Sequence, residues 1–294
     1  MTRAGILTIC GKPNAGKSTL LNHLVGQKLS IVSSKPQSTR ERTVGILTHD
    51  DVQIVLLDTP GLLDPQYALQ RAMRHTALRA LDDADIIAYL VDAHTPNPPS
   101  LTQAAALTSA PRAPVMTVFN KVDTLDAAAR SALQEANPDA LLISALEGDG
   151  VAKLLERARA AMPESPYLYP EDDVGSQSLR FFAAEFVRET ALEQLEEEVP
   201  YSIACEVEEF REDRRPVYIR AVIYVERDSQ KRIVIGQHGT RIREIGRVSR
   251  EKIEAMIEAP VYLDLWVKVL PNWRRDSNAL RRLGFTNSDE ESRP

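Results

Sequence analysis

The stretch "GKPNAGKS" at residues 11–18 constrains this chain more than any other. It fits G-x-x-x-x-G-K-[ST], follows the apolar run "GILTIC", and opens the amphipathic run "GKSTLLNHLVG", which ends at a glycine. With that spacing between a strand and a helix, the loop is a cradle for phosphates. Its glycines let backbone N–H groups wrap the anion, and the positive end of the helix adds to the field. The cradle comprises Gly11, Lys12, Pro13, Asn14, Ala15, Gly16, Lys17, Ser18 and Thr19. Lys17 is expected to reach the β- and γ-phosphates, and Ser18 to hold Mg²⁺.

Such a loop sits at the end of a parallel strand, and the first 160 or so residues supply that sheet. "TVGILTHD" and "VQIVLLD" read as a strand hairpin, and residues 67–81 have helical spacing. "DIIAYLVDA", "PVMTVFNK" and "ALLISA" are continuous apolar runs, as in strands covered on both faces. "GVAKLLERARAAMP" closes the pattern as a helix. The expectation is an α/β domain with a doubly wound, mostly parallel sheet over residues 1–163. "PESPYLYPEDDVGSQ" breaks the periodicity with three prolines and a glycine, so 164–177 reads as a linker. Beyond it the order becomes α-β-β-α-α-β over 178–285, an α+β domain. It has a long helix over 178–198, strands at 201–210 and 217–226, a helix near 240–258, a third strand "VYLDLWVKVL" and a short final helix. The tail "TNSDEESRP", 286–294, reads as disordered.

The cradle alone does not separate ATP from GTP. "NKVD", 120–123, follows a strand. Asp123 can accept two hydrogen bonds from guanine N1–H and its amine, which adenine cannot offer; a buried carboxylate there would reject adenine by roughly 10⁴–10⁵. Asn120 and Lys121 would brace the loop and base. "SAL" (Ser144, Ala145, Leu146) ends another strand and resembles the last guanine-contacting loop, through the backbone of Ala145. "DTPG", with Asp58, Thr59, Pro60 and Gly61, follows "VQIVLLD". Asp58 would hold Mg²⁺ through a water, and Gly61 would sense the γ-phosphate by its N–H. In "PQSTRER", Ser38 and Thr39 compete to close over Mg²⁺. Resemblance to translation-factor-related GTPases, whose switch threonine precedes an Arg, favours Thr39. Leu62 occupies the place where many GTPases keep a water-orienting glutamine, and it cannot hydrogen-bond water.

Composition admits a soluble, two-domain protein: 294 residues, 43% hydrophobic and 27% charged. No apolar run approaches the roughly 20 residues that span a bilayer, and "MTRAGILTIC" reads straight into a strand, not a secretory signal. Two distant cysteines, Cys10 and Cys205, argue against a disulfide framework and for a reducing compartment. The net charge of −6 hides a local reversal. Residues 227–252 hold eight Lys/Arg against three Asp/Glu, and 268–282 hold five against one. The first stretch contains "IVIGQHGTRI", in which Gly236 and Gly239 bracket Gln237 and His238. It resembles the GxxG loop of KH domains, which clamps single-stranded nucleic acid. Cβ atoms would be absent because phosphates lie against the loop. Ile242, Ile245, Ile253 and Met256 form a core stripe on the following helix, and Arg243, Arg247 and Arg250 fall on another face. Ile235 and Arg241 flank the loop.

Taken in order, "YPEDDVGSQSLRFFAAEFVRE", "VPYSIACEVEEF", "VIGQHGTRIREIG" and "VYLDLWVKVLPNWRRDSNALRRLGF" resemble the Era family of GTPases, over essentially residues 4–285. "GLLDP" and the polar tail depart mildly from it. The resemblance implies a P-loop GTPase domain followed by a type II KH RNA-binding domain. It implies slow GTP hydrolysis with Mg²⁺, GTP and GDP as ligands, and binding of small-subunit ribosomal RNA near its 3′ end. It further implies a role in small ribosomal subunit assembly as a cytoplasmic, bacterial-type monomer. Some members associate peripherally with the membrane, at its inner face, though no amphipathic anchor is visible. In related GTPases with a hydrophobic residue at the glutamine position, the asparagine matching Asn14 helps to bind K⁺; Asn14 as a mere turn residue is the alternative. Two rival readings are an RNA-binding protein whose GTPase domain only senses nucleotide, and a GTPase whose KH-like fold docks protein.

Overall fold

The computed structural model describes residues 1–33 and 35–285. The tail expected to be disordered, 286–294, lies outside the described residues. The chain forms two compact units, one of residues 1–66 with 70–176, the other of 67–69 with the chain from 177 on.

In the first unit, β1 (Arg3–Gly11), β2 (Thr43–His49), β3 (Val52–Asp58), β4 (Ile86–Asp92), β5 (Val115–Asn120) and β6 (Leu141–Ile143) form one sheet in the order β2-β3-β1-β4-β5-β6. Only the β2–β3 pair is antiparallel. The strands are nearly all apolar because α1 (Lys17–Val25), α2 (Ala68–Asp82) and α5 (Val151–Ala161) leave them little solvent. Two further helices, α3 (Leu101–Ala104) and α4 (Ala127–Ala136), lie outside the elements expected from the sequence. Side-chain caps set their starts, Ser100 accepting from Gln103 N and Asp126 from Ala129 N. Strand order reverses direction around β1, so the carboxyl ends of β1, β3, β4 and β5 open a crevice at that point. Register aligns Ile9 with Asp58, Gly11 with Leu90 and Asp92 with Asn120.

The proline-rich stretch reads as a linker in the sequence but is fastened to this unit. Ile46 N donates to Val174 O at 3.0 Å, and Gly175 bridges Gly45 on the sheet's edge strand. The buried Gln53 accepts from Leu168 N and Tyr169 N through Oε1 and donates to Tyr169 O. An open strand edge is a row of unpaired backbone groups, and residues 168–175 cover part of it. Backbone pairing of this kind leaves no side-chain period to read.

In the second unit, β7 (Ala204–Arg211), β8 (Val217–Val225) and β9 (Val261–Val269) form a sheet in which β8 pairs antiparallel with β7 and parallel with β9. Helices α6 (Leu179–Gln194) and α8 (Thr240–Ile257) pack on each other and on the sheet, with α7 (Asp228–Ile235) before α8 and α9 (Ser277–Arg282) at the end. Val217, Ile219, Ala221, Ile223 and Val225 are all buried, as expected of one strand face. Helix α6 ends at Gln194, short of the expected 198. The cause is the run Glu196–Glu198: carboxylates at a helix carboxyl end oppose its dipole. The buried Leu195 leaves the helix in an extended conformation instead. On α8, Ile245 and Ile253 are buried as anticipated, but Ile242 and Met256 are only partly covered. No helix among the described residues is long and apolar enough to cross a membrane.

Candidate functional site

The cradle begins where β1 ends and closes where α1 starts. Gly16 has φ 93°, and a Cβ there would lie 2.1 Å from Asn120 Nδ2, so this turn requires glycine. Lys17 is buried and its ammonium folds over the loop, donating to Lys12 O at 3.0 Å and Gly11 O at 3.3 Å. Burial pushes its pKa down, opposed by the nearby Asp58. Asp58 is fully buried, and burial pushes its carboxyl up against the pull of Lys17 and neighbouring hydroxyls. Ser18 Oγ donates to Asp58 Oδ2 at 2.7 Å and shares a hydrogen bond with Thr39 Oγ1 at 2.8 Å. Asp58 Oδ1 has no hydrogen-bond partner among the described residues.

Three oxygen donors thus converge on one point, which suits a hard cation. Among the described residues no group of three or more His, Cys, Asp or Glu could hold a metal, so one carboxylate and two hydroxyls leave most ligand positions to phosphate and water. A cleft of about 400 Å³ opens beside them, lined by Pro13, Asn14, Gly16–Thr19, Ile31–Ser33, Gln37–Thr39 and Gly61. Ser38 and Thr39 both reach it, but it is Thr39 that touches Ser18. Thr59 is buried, donating to Ile9 O at 2.9 Å, and Pro60 is buried with it. Leu62 does not reach the cleft. Its N–H donates to Gly11 O at 2.9 Å, and its side chain packs among Cys10, Leu81, Ile87 and Tyr89. Cys10, behind the cradle, is a buried thiol pushed up to about 12 by burial.

Asn120 joins three segments. Its Nδ2 donates to Ala15 O, and its Oδ1 accepts from Ala145 N, both at 2.8 Å. Ser144 and Ala145 are buried, while Leu146 stands 70% exposed. Ser144 Oγ accepts from Glu147 N at 3.1 Å, which shapes that turn. Asp123 lies in a short 3-10 turn, Val122–Thr124, and is exposed. The protein leaves one side of this carboxylate open, where a bound base would supply the cover. Lys121 adopts φ 71° and donates to Asp92 Oδ2 at 2.7 Å. Burial alone would raise the Asp92 carboxyl, but hydrogen bonds from Lys121 and His94 outweigh it and hold the pKa at about 2. Lys12 is exposed and lines a second cavity, of about 520 Å³, with Asn14, Asp92 and Lys121.

In the second unit, the loop between α7 and α8 has Gly236 at φ 73°, ψ 173°, His238 at φ 51° and Gly239 at φ 75°. The glycines are demanded by the loop itself. A Cβ on Gly236 would lie 2.8 Å from Arg241 Cβ, whereas one on Gly239 would meet nothing closer than 3.9 Å. Local geometry thus gives its own reason for glycine at 236, beside the expected approach of a nucleic-acid backbone, and the space beside Gly239 leaves room for that approach. Gln237 and His238 project as exposed residues, and Ile235 is half-buried. Arg241 donates to Ile233 O, and Arg243 to Gly239 O and His238 O, so these two brace the loop. Arg247 pairs with Glu244 and Glu251, and Arg250 lies 4.0 Å from Glu254. Beside them runs a groove of about 720 Å³ with Ile242, Gly246, Leu263 and Leu265 on its walls and Tyr262 at its rim. Sequence reasoning missed Gly246, Tyr262, Leu263 and Leu265 as lining of this groove. The signal was the placing of Tyr262 and Trp266 in "VYLDLWVKVL" at alternate positions with Asp264 and Lys268, the polar side of the strand.

Fold and site together define a P-loop GTPase carrying a KH domain. Residues 6–121 match the family model described as 50S ribosome-binding GTPase, and residues 198–274 match that of the KH domain. GTPase Era of Carboxydothermus hydrogenoformans is 42% identical, over 97% of this chain and 98% of its own, and that of Ectopseudomonas mendocina 41% identical over 97% and 98%. The chain belongs to the Era family of GTPases. A crystal structure of Era with MgGDPNP and nucleotides 1506–1542 of 16S ribosomal RNA is similar, with a TM-score of 0.88 and 37% identity over 97% of this chain and all of that one. An Aquifex aeolicus Era variant bound to GDP.AlF4⁻ matches with a TM-score of 0.89, the same identity and the same coverage.

Proposed function

We propose that this GTPase binds GTP with Mg²⁺, hydrolyses it slowly, and binds single-stranded small-subunit ribosomal RNA near its 3′ end during small-subunit assembly. The observation that carries the reading is the likeness, over 97% of the chain, to an Era crystallised with both MgGDPNP and that RNA. The nucleotide half rests on the convergence of Ser18, Thr39 and Asp58 beside the Gly11–Thr19 loop. Bound there, Mg²⁺ supplies neutralisation of the charge that develops on the β- and γ-phosphates. Lys17 adds a desolvated positive charge, worth more in a buried site than in water. Asp123, steadied through Asn120 and Lys121, accepts the guanine donors.

Leu62, buried in the core, orients no water, so hydrolysis by the chain alone is slow. Asn14 supports a K⁺ contribution, because it lines the cleft at positive φ. Turnover lower in Na⁺ than in K⁺, with the difference lost in Asn14→Ala, supports that role; equal rates in the two salts overturn it.

The RNA half rests on the groove beside α8, where Tyr262 offers a stacking face and apolar walls suit unstacked bases. The loop residues Gly236–Gly239 lie at the amino end of α8, where backbone N–H groups favour a phosphate. In this reading residues 164–177 act as the connector and 178–285 as the RNA-binding domain. The protein acts as a monomer in the bacterial cytoplasm, on the small ribosomal subunit, with membrane contact no more than weak and peripheral at the inner face. The decisive experiment follows GTP turnover with and without an RNA fragment from the 3′ end of the small-subunit RNA. Stimulated multiple turnover supports the reading. RNA binding without stimulation favours a nucleotide-sensing RNA-binding protein, and no RNA binding favours a protein-docking fold.

A further inference from the structure

The register of the sheet sets Asp92, at the end of β4, opposite Asn120, at the end of β5. That alignment brings the Asp92 carboxylate within reach of the next residue, Lys121, whose Nζ donates to Oδ2 at 2.7 Å. The other oxygen, Oδ1, accepts from His94 N at 3.0 Å and shares a hydrogen bond with His94 Nδ1 at 2.9 Å. The carboxylate is thereby held from two sides, by a backbone turn and by a ring, and cannot swing with the lysine. Lys121 cannot move freely at its base either, since its backbone is fixed in the left-handed region at the start of the 3-10 turn that carries Asp123. With both ends tied, the four-carbon stem is held between two fixed points. The Lys121 side chain remains 37% exposed although its ammonium is engaged.

From this geometry we infer that Asp92 is a positioning residue for guanine binding: it clamps the Lys121 ammonium so that the stem forms a fixed apolar ledge next to Asp123. The inference rests on reading Lys121 and Asp123 as the guanine site. A free lysine stem has many rotamers, and a base that packs on it must first order it. Ordering a rotamer-rich side chain before the ligand arrives removes that cost from binding. On the nucleotide the clamp acts through Lys121 alone, since the bonds to His94 hold only the carboxylate itself. Loss of Asp92 therefore matters only while Lys121 is present, which distinguishes a positioning role from a general contribution to folding.

The test is a double-mutant cycle read by release of fluorescent GDP from the full-length protein in Mg²⁺. Asp92→Ala is expected to speed release by about tenfold. Asp92→Asn, which keeps an acceptor for Lys121 but not its charge, is expected to recover part of that loss. In a Lys121→Ala background, removing Asp92 is expected to change release less than twofold, because the group it positions has gone. Equal effects of Asp92→Ala in the two backgrounds would overturn the inference while leaving the guanine site intact. Release unchanged by Lys121→Ala alone would overturn the guanine-site reading and the inference with it. Should Asp92→Ala fail to fold, the same cycle run with Asp92→Asn decides the matter, with non-additivity in support and additivity against.

Discussion

Single residues in this protein divide by whether their neighbours complete them. Asn120 is complete: both ends of its amide are occupied by backbone groups of the P-loop and of the Ser144–Leu146 turn. Asp123 is exposed, on a turn next to the clamped Lys121, as a base-reading group must be before its base arrives. Asp123→Asn should therefore weaken GTP binding by at least about a hundredfold and strengthen binding of xanthosine triphosphate. The amide then offers a donor to the carbonyl that replaces guanine's amine. Titration of the two nucleotides against both proteins checks this, and an unchanged preference for GTP would remove Asp123 from the site. Leu62 follows the DTPG motif, yet it belongs to the core. Leu62→Ala should cost about 2–5 kcal/mol of stability, the usual range for a buried leucine. Denaturant unfolding should register that loss while nucleotide affinity stays near wild type. A collapse of hydrolysis with stability intact would instead give Leu62 a role in the cleft.

At the scale of elements, the Gly236–Gly239 loop shows how one motif can answer to two causes, its own backbone and an approaching ligand. Both glycines sit at positive φ, and Gly236 has no room for a Cβ against Arg241. Substituting Gly236 would strain the loop by about 1–3 kcal/mol whether or not RNA binds there, so it tests folding before binding. The informative substitutions are Gln237→Glu and His238→Glu, at exposed positions between the glycines. Together they should weaken binding to single-stranded small-subunit RNA by at least about tenfold, through repulsion of phosphate, with the circular dichroism spectrum unchanged. Arginine substitutions on α8 should act unequally. Arg247, held between Glu244 and Glu251, should flatten the salt dependence by less than the roughly 0.7 per phosphate contact typical of single strands. A salt titration of RNA affinity measures both effects. The helix α6 carries a similar lesson. Its apolar spacing is plain in the sequence, but its end depended on an acidic run that an α-helix tolerates poorly at its carboxyl terminus.

At the scale of the whole molecule, two compact units are expected to respond to different ligands. In hydrogen exchange, GDP should raise protection in the cradle, the DTPG segment and the Asn120–Ala145 loops, by an amount growing with ligand excess to about 2.7 kcal/mol at 100 times Kd. A single-stranded fragment of small-subunit RNA should raise it instead around residues 233–250 and in β9. Protection by GDP confined to the second unit would contradict this division. The helices α3 and α4 were not legible in the sequence, but the order of strands, most of the helices, the phosphate loop, the guanine motif and the GxxG loop were. Each is written in local period or in side-chain chemistry at fixed spacing, which survives without knowledge of the fold. Only the tertiary structure decided the rest. The path of residues 168–175 at the sheet edge depends on backbone hydrogen bonds and on the distant Gln53 side chain, neither of which leaves a period in the stretch itself. The inward turn of Leu62, the demand for glycine at 236, the groove under Tyr262 and the meeting of Asp92 with Lys121 depend on which strand ends and turns fold side by side. Proximity of that kind is set by register and packing between distant segments, and no spacing along the chain encodes it.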